Sequence, residues 1–114
     1  MNTGDYKYFV IKRNNSIAGF AEIWKSVDDI HIIDIVVRKN LRKQGIGSIL
    51  MEKLIKVAKQ EEMESITLEV MCTNNPAIKL YEKFGFKNVG IRKNYYKGTH
   101  DAYIMTRGLT NEKE

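Results

Sequence analysis

The sequence predicts a mixed α/β (α+β) fold in which two helices cross over a partly parallel sheet. Six short segments are rich in β-branched residues or alternate apolar with polar residues, as strands do. Two longer segments repeat apolar residues every three to four positions, as amphipathic helices do. The predicted order is strand, strand, strand, helix, strand, helix, strand, strand. The chain has 114 residues, the length of one domain, so a single domain is predicted over positions 1–114.

Three strands are predicted before the first helix. Tyr6–Arg13 and Ser16–Lys25 form an antiparallel pair, because the intervening Asn14-Asn15 tolerates the left-handed backbone of a tight hairpin. Asp29–Val37 is so dense in isoleucine and valine that it is predicted to be a central strand. Trp24 is predicted to lie in the core.

The first helix is predicted to begin at Ile46 and to end near Glu62, since apolar residues recur there at helical spacing between lysines and glutamates. The next strand is Ser65–Met71, in which apolar and polar residues alternate. This alternation predicts that Glu69 lies on the face opposite to its apolar neighbours.

A second helix is predicted to begin at Asn75 and Pro76. The asparagine would cap free amides, and the proline would take the first helical position, where no amide donor is lost. Gly85 is predicted to end this helix. Lys87–Tyr95 and Ala102–Thr106 are then predicted to form a closing hairpin.

The charge and the cysteine content restrict the function classes. With 19 basic and 14 acidic side chains, the net charge of +5 suits nucleic acid, an acidic protein or a ligand that bears a polyphosphate. The single cysteine, Cys72, leaves no intrachain disulfide and, with the polar amino terminus, favours a cytoplasmic protein without a membrane anchor. His31 and His100 lack metal-ligand spacing, so no metal site is predicted.

A glycine pair, Gly45 and Gly47, follows a predicted strand and opens the first helix. Free amides and the positive end of the helix dipole at such a position attract phosphate, and the missing side chains allow close approach. Basic residues cluster just before the pair, which favours a phosphate ligand. The pattern fits neither a nucleotide P-loop nor a Rossmann fingerprint. On these residues alone, the alternative is that the glycines only shape a tight helix entry.

Two motifs give the chain a resemblance to a known family. The first reads Val37-x-x-x-x-Arg42-x-x-Gly45-Ile46-Gly47, and the second reads Asn74-x-x-Ala77-Ile78-x-Leu80-Tyr81-Glu82-Lys83-x-Gly85-Phe86. In order and separation they resemble the two best-known motifs of the GCN5-related N-acetyltransferase (GNAT) superfamily. Leu68-Glu69-Val70 and Arg92-Lys93-Asn94-Tyr95-Tyr96 resemble its branch that acetylates protein N-termini, which includes the ribosomal-protein alanine N-acetyltransferases.

The resemblance implies a site for acetyl-coenzyme A (acetyl-CoA). Backbone groups of Ile35, Val36 and Val37 would bind the pantetheine arm, which would lie between two diverging strands. Asn74 would contact the cofactor near its reactive end. The pyrophosphate would be bound by a turn that contains Arg42, Lys43, Gln44, Gly45, Ile46, Gly47 and Ser48.

The resemblance also implies direct acetyl transfer to an amine, with Glu69 as the base and Tyr81 as the acid. About a tenth of an α-amino group is neutral at pH 7, so a carboxylate acting through water need only assist deprotonation. A phenol with a pKa near 10 can protonate a departing thiolate whose own pKa is about 8.5. A backbone N–H near Val37 would bind the oxyanion, and Tyr95 and Tyr96 would line the acceptor groove.

Other interpretations of these residues stay open. Glu69 would otherwise be a solvent-facing strand residue, and Tyr81 would be a core aromatic. Tyr95 and Tyr96 would pack within the closing hairpin. Cys72 would carry the acetyl group only in a covalent route, for which no histidine is adjacent in sequence.

The chain lacks the family's usual N-terminal strand and helix pair, which form one wall of the acceptor groove. A shortened sequence, a second protomer in a homodimer, or a minimal form with an open site would each account for this. The expected acceptor is the N-terminal amine of a protein such as a ribosomal protein. The alternatives are a small-molecule amine acceptor and a non-catalytic acyl-CoA-binding module, and nucleic-acid binding is the least favoured.

Overall fold

A computed structural model of the chain describes residues 4–96 and 100–109, without the side chains of Tyr95 and Tyr96. The six strands are β1 (Asp5–Arg13), β2 (Ser16–Lys25), β3 (Asp29–Val37), β4 (Ser65–Met71), β5 (Lys87–Tyr96) and β6 (His100–Gly108). The helices are α1 (Ile46–Gln60), α2 (Asn75–Lys83) and a short 3-10 helix, Lys39–Leu41. The predicted order of elements is confirmed.

All six strands join one mixed sheet in the order β1-β2-β3-β4-β6-β5. The pair β3 and β4 is parallel and is connected through α1, whereas the other neighbours are antiparallel. The closing hairpin inserts β6 between β4 and β5, so β5 becomes the edge of the sheet. Neither α-helix in the described residues has the length and apolar character needed to span a membrane.

The core lies between the two helices and one face of the sheet. Fully buried side chains come from alternate positions of the central strands and from one stripe of α1, and they include Ile23, Ile30, Leu50, Leu54, Ile66 and Leu68. The prediction for Trp24 is wrong. As the neighbour of the buried Ile23, it points to the opposite face, where it is only half-buried and packs edge-on against Tyr6 with ring centroids 4.6 Å apart.

The start of α2 differs from the prediction by one residue. Asn74, and not Asn75, is the capping residue, because its Oδ1 accepts a hydrogen bond from the amide of Ala77 at 3.3 Å. A cap must precede the helix for its side chain to reach the third helical amide, so Asn75 is already the first helical residue and Pro76 the second. Gly85, with φ of 91°, follows the end of this helix as predicted.

An irregularity in β3 separates its two halves. Ile23 of β2 pairs with Ile32, and Glu22 pairs with Asp34, so Ile33 is an extra residue that forms a bulge. A bulge bends its strand and increases the local twist. On the other side of β3, the pairing with β4 begins at Asp29 and ends at Ile32, although both strands continue. Beyond this point the two strands diverge and leave a cleft.

Candidate active site

A cavity of about 150 Å³ occupies the cleft where β3 and β4 diverge. Side chains from both strands line it, together with two residues from the start and the middle of α2. The lining residues are Ile32, Ile33, Asp34, Ile35, Leu68, Glu69, Val70, Met71, Asn74 and Tyr81. Four predicted site residues therefore meet in one place, although they come from three separate segments of the chain.

The predicted pantetheine segment lies at the end of β3. Ile35 lines the cavity, whereas Val36 and Val37 continue beyond it and pair only with β2, opposite Phe20 and Gly19. On the side that faces β4, their backbone has no strand partner, because the parallel pairing has ended. Backbone groups of this kind are suited to bind an extended amide-bearing ligand by hydrogen bonds.

Glu69 is not a solvent-facing residue, since only 9% of its side chain is exposed. Its Oε2 forms an ion pair with Nε of Arg92 at 2.6 Å. The sequence analysis did not identify this partner. The two residues belong to strands that are separated by β6, and only the observed strand order brings them together.

Tyr81 both packs against the core and lines the cavity. Its half-buried ring packs against the core and lies 5.9 Å from the ring of Phe86, at an interplanar angle of 57°. The same residue lines the cavity opposite β3 and β4. Packing of the ring restricts its motion, which is a requirement for a side chain that must deliver a proton to a defined point.

The turn before α1 has the backbone geometry of an anion site. Lys43 and Gly45 take the left-handed conformation, with φ of 65° and 81°, and no side chain caps the helix. A Cβ atom at Gly45 would meet nothing within 4 Å, so the space beside it is open. At Gly47 a Cβ atom would lie 3.4 Å from Leu80 Cδ2. A methyl group there would therefore touch α2 at the near limit of ordinary van der Waals contact.

The side chains of the turn secure it to the sheet. Nε of Arg42 donates to the carbonyl of Val37 at 3.2 Å, and Nη1 of Arg13 donates to Oε1 of Gln44 at 2.8 Å. These contacts connect the turn to the last residue of β3 and to β1. Because Ile46 is buried and Ser48 half-buried, the outward surface of the turn consists mainly of backbone and basic side chains.

One charged residue of the cavity, Asp34, was not predicted from the sequence. Its exposed carboxylate lies on the β3 side, across the cleft from Glu69 on β4. Regular alternation from the buried Ile32 would direct this residue into the core, and only the bulge at Ile33 turns it away. Cys72 is not among the cavity-lining residues. The side chains of Tyr95 and Tyr96 lie outside the described residues.

Comparison with known proteins identifies the family. The model of the Acetyltransferase (GNAT) family matches residues 2–86. The [ribosomal protein bS18]-alanine N-acetyltransferase of Escherichia coli K12 is 36% identical over 108 residues, which cover 91% of this chain and 73% of that protein. An N-alpha-acetyltransferase of Saccharolobus solfataricus is 44% identical over 80 residues, or 69% of this chain and 48% of that protein.

Solved structures agree with these relatives. The crystal structure of the E. coli ribosomal-protein-S18-alanine N-acetyltransferase matches with a TM-score of 0.87 and 34% identity, over 92% of this chain and 70% of that one. A GNAT family acetyltransferase from Elizabethkingia anophelis with acetyl-CoA bound matches with a TM-score of 0.86 and 25% identity. The match covers 91% of this chain and 76% of that one.

The chain spans about half the length of the archaeal relative, and 66% of a Bacillus subtilis relative to which it is 38% identical. The family match itself covers far more than half of this chain and includes the divergent strands and the glycine turn. The resemblance inferred from the two motifs is therefore confirmed, and the chain belongs to the GNAT family of acetyltransferases.

Proposed function

We propose that this chain transfers an acetyl group from acetyl-CoA to the N-terminal α-amine of a protein, by direct attack in the cleft between β3 and β4. The observation that supports this most strongly is the meeting of Glu69 and Tyr81, a carboxylate and a phenol, at one cavity. The names of the relatives, which act on ribosomal-protein alanine or on N-terminal amines, favour this acceptor.

The donor half of the site would hold acetyl-CoA along a continuous path. Amides at the start of α1 would bind the pyrophosphate, and the exposed basic side chains of Arg38, Lys39 and Lys43 would neutralise its charge. The open space at Gly45 suits this role, because a phosphate must approach the backbone closely. The unpaired edge of β3 from Ile35 to Val37 would bind the pantetheine amides, so that the thioester reaches the cavity.

The acceptor amine arrives mostly as an ammonium ion and must lose one proton before it can attack. Glu69 would accept that proton through a water molecule, and the neutral nitrogen would then form its bond to the thioester carbonyl carbon. As the carbon–sulfur bond breaks, Tyr81 would donate its proton to the departing thiolate, and the phenolate would regain a proton as the nitrogen of the new amide loses its second one. Each positioned acid or base of this kind contributes roughly 10²- to 10⁴-fold to a rate.

Thiol release from acetyl-CoA tests this proposal directly. The acceptors would be a short peptide with a free alanine N-terminus, the same peptide with a blocked N-terminus, and a polyamine. We expect turnover with the first alone, and a loss of about 100-fold in kcat for both E69Q and Y81F. Turnover with the polyamine would favour a small-amine acetyltransferase. Binding of acetyl-CoA without turnover would favour a non-catalytic module.

A further inference from the structure

A positioning role follows from the ion pair between Arg92 and Glu69. We propose that Arg92 orients the Glu69 carboxylate toward the cavity and thereby acts in acetyl transfer through Glu69. This inference rests on the proposed function and extends it to a residue that is not among those lining the cavity.

The sheet brings the two side chains together across an intervening strand. Glu69 pairs with Ile104, and Arg92 pairs with Ala102, so both neighbours belong to β6. Ala102 is completely buried and its side chain is only a methyl group. A small residue at this register position leaves room for the arginine side chain to extend across β6 to the carboxylate.

The burial of Glu69 makes its partner important. Only 9% of the Glu69 side chain is exposed, and an ionised carboxylate in such surroundings is unfavourable unless a charged or hydrogen-bonding group compensates it. The 2.6 Å contact joins Nε of Arg92 to Oε2 of Glu69. Oε1 would then be the oxygen that accepts a proton from a bridging water, while Arg92 restrains the other.

The backbone around Arg92 is suited to hold it in place. The regular pairing of β5 with β6 continues to Arg92 and Ala102, and the register then shifts before Tyr96. Asn94 has φ of 56°, and its amide donates to Oδ1 of Asp101 at 3.0 Å. Arg92 therefore lies at the last regular pair before the irregular end of the hairpin, where β6 still determines its direction.

The effects of R92M on stability and on kcat distinguish a purely structural ion pair from one that positions Glu69. Because 57% of the Arg92 side chain is exposed, we expect R92M to remain folded, with a thermal midpoint close to that of the parent. The expected loss is in kcat, by about 10- to 100-fold, since small displacements of a catalytic group have effects of this size. The KM for acetyl-CoA should stay within about two-fold, because Arg92 lies outside the donor half of the site.

The experiment is a double-mutant cycle on the full chain, with R92M, R92K, E69Q and the double variant E69Q/R92M. We expect R92K to recover part of the kcat, and E69Q/R92M to equal E69Q within about two-fold. K87M is the matched control, because Lys87 is an exposed cation on the same strand. It should keep the kcat of the parent. If R92M fails to fold, R92K and E69Q/R92K provide the same cycle.

Two outcomes would overturn the inference. One is an unchanged kcat in R92M, and the other is a loss in E69Q/R92M that equals the product of the two single losses. In both cases the proposed function stands if the parent turns over and E69Q does not. If the parent releases no thiol with any acceptor, the proposed function fails and the role of Arg92 fails with it.

Discussion

Glu22 and Asp34 face each other directly across β2 and β3. Like charges at opposed positions of an antiparallel pair repel each other, and this arrangement costs the fold a fraction of a kcal/mol. Because Asp34 lines the cavity from the strand opposite Glu69, we infer that the negative potential of the pair attracts the positively charged acceptor.

For D34N, we therefore expect a KM for the peptide acceptor that is several-fold higher, with an unchanged KM for acetyl-CoA. The variant should also be slightly more stable than the parent, because the cross-strand repulsion is removed. Steady-state kinetics and thermal unfolding check the two halves of this prediction. D28N is the control, since Asp28 is an exposed acid in the turn before β3 and does not line the cavity. An unchanged acceptor KM in D34N would contradict the role.

The same row of the sheet contains a titratable pair. The hydroxyl of Tyr8 donates to Oε2 of Glu22 at 3.1 Å, and this hydrogen bond, with the negative charge of Glu22, raises the pKa of Tyr8 above its usual 10.0. The folded state then binds the phenolic proton more tightly than the unfolded chain does. The resulting stability is complete below about pH 10 and is lost as the pH rises through the folded pKa.

We accordingly expect Y8F to be less stable than the parent near neutral pH, and the difference in free energy of unfolding to shrink above about pH 10. Urea unfolding of both proteins at a series of pH values measures this difference. Tyr6 is equally exposed on the same strand, so Y6F is the comparison. A difference between Y8F and the parent that stays constant into the alkaline range would contradict the assignment.

A side chain at Gly45 should lower both the stability of the fold and the affinity for acetyl-CoA, and the two effects can be measured separately. Its φ of 81° is strained for alanine, so G45A should lose about 1 kcal/mol of stability. A methyl group in the open space before α1 should also weaken acetyl-CoA binding. In the parent, acetyl-CoA at a hundred times its Kd should stabilise the fold by about 2.7 kcal/mol.

Thermal unfolding with and without acetyl-CoA measures both effects in one experiment. G90A is the control, because a Cβ atom at Gly90 would make an ordinary contact, 3.6 Å from Ile104. Its shift with acetyl-CoA should equal that of the parent. Full stabilisation of G45A by the cofactor would argue against pyrophosphate binding at this turn.

Asn74 combines a structural contact with a predicted cofactor contact, and two variants distinguish them. N74A should lose the cap of α2 and about 1 kcal/mol of stability. N74D keeps an oxygen that can cap the helix but lacks the amide donor, so it should stay stable. If Asn74 also contacts acetyl-CoA, both variants should bind it more weakly by calorimetry. Normal affinity in a stable N74D would leave only the capping role.

Much of the fold was predictable because the relevant patterns are local. Alternation identified the strands, and helical spacing and glycine identified the limits of both helices to within about two residues. The motifs that contain Gly45 and Tyr81 were also sufficient to predict the family. The error at Asn75 arose because two adjacent asparagines are equally good caps, and only the backbone decides which of them precedes the helix.

Long-range relationships were not predictable in the same way. The pairing of Arg92 with Glu69 depends on the insertion of β6 between two strands, and nothing local to either residue specifies that arrangement. Asp34 lies two residues after the buried Ile32 and four after the buried Ile30. Regular alternation along the strand would therefore direct it into the core. Without knowledge of the bulge, its true direction was hidden.

The extra residue at Ile33 therefore makes the number of residues in β3 more important than their identity. Without Ile33, the pairs Ile23–Ile32 and Glu22–Asp34 would follow each other without a bulge, so β3 could continue its pairing with β4 while Asp34 kept its outward direction. The divergence of the strands would be lost, and the cleft with it. Deletion of Ile33 should therefore close the cleft without removing any of the proposed catalytic side chains, which no substitution described above would do.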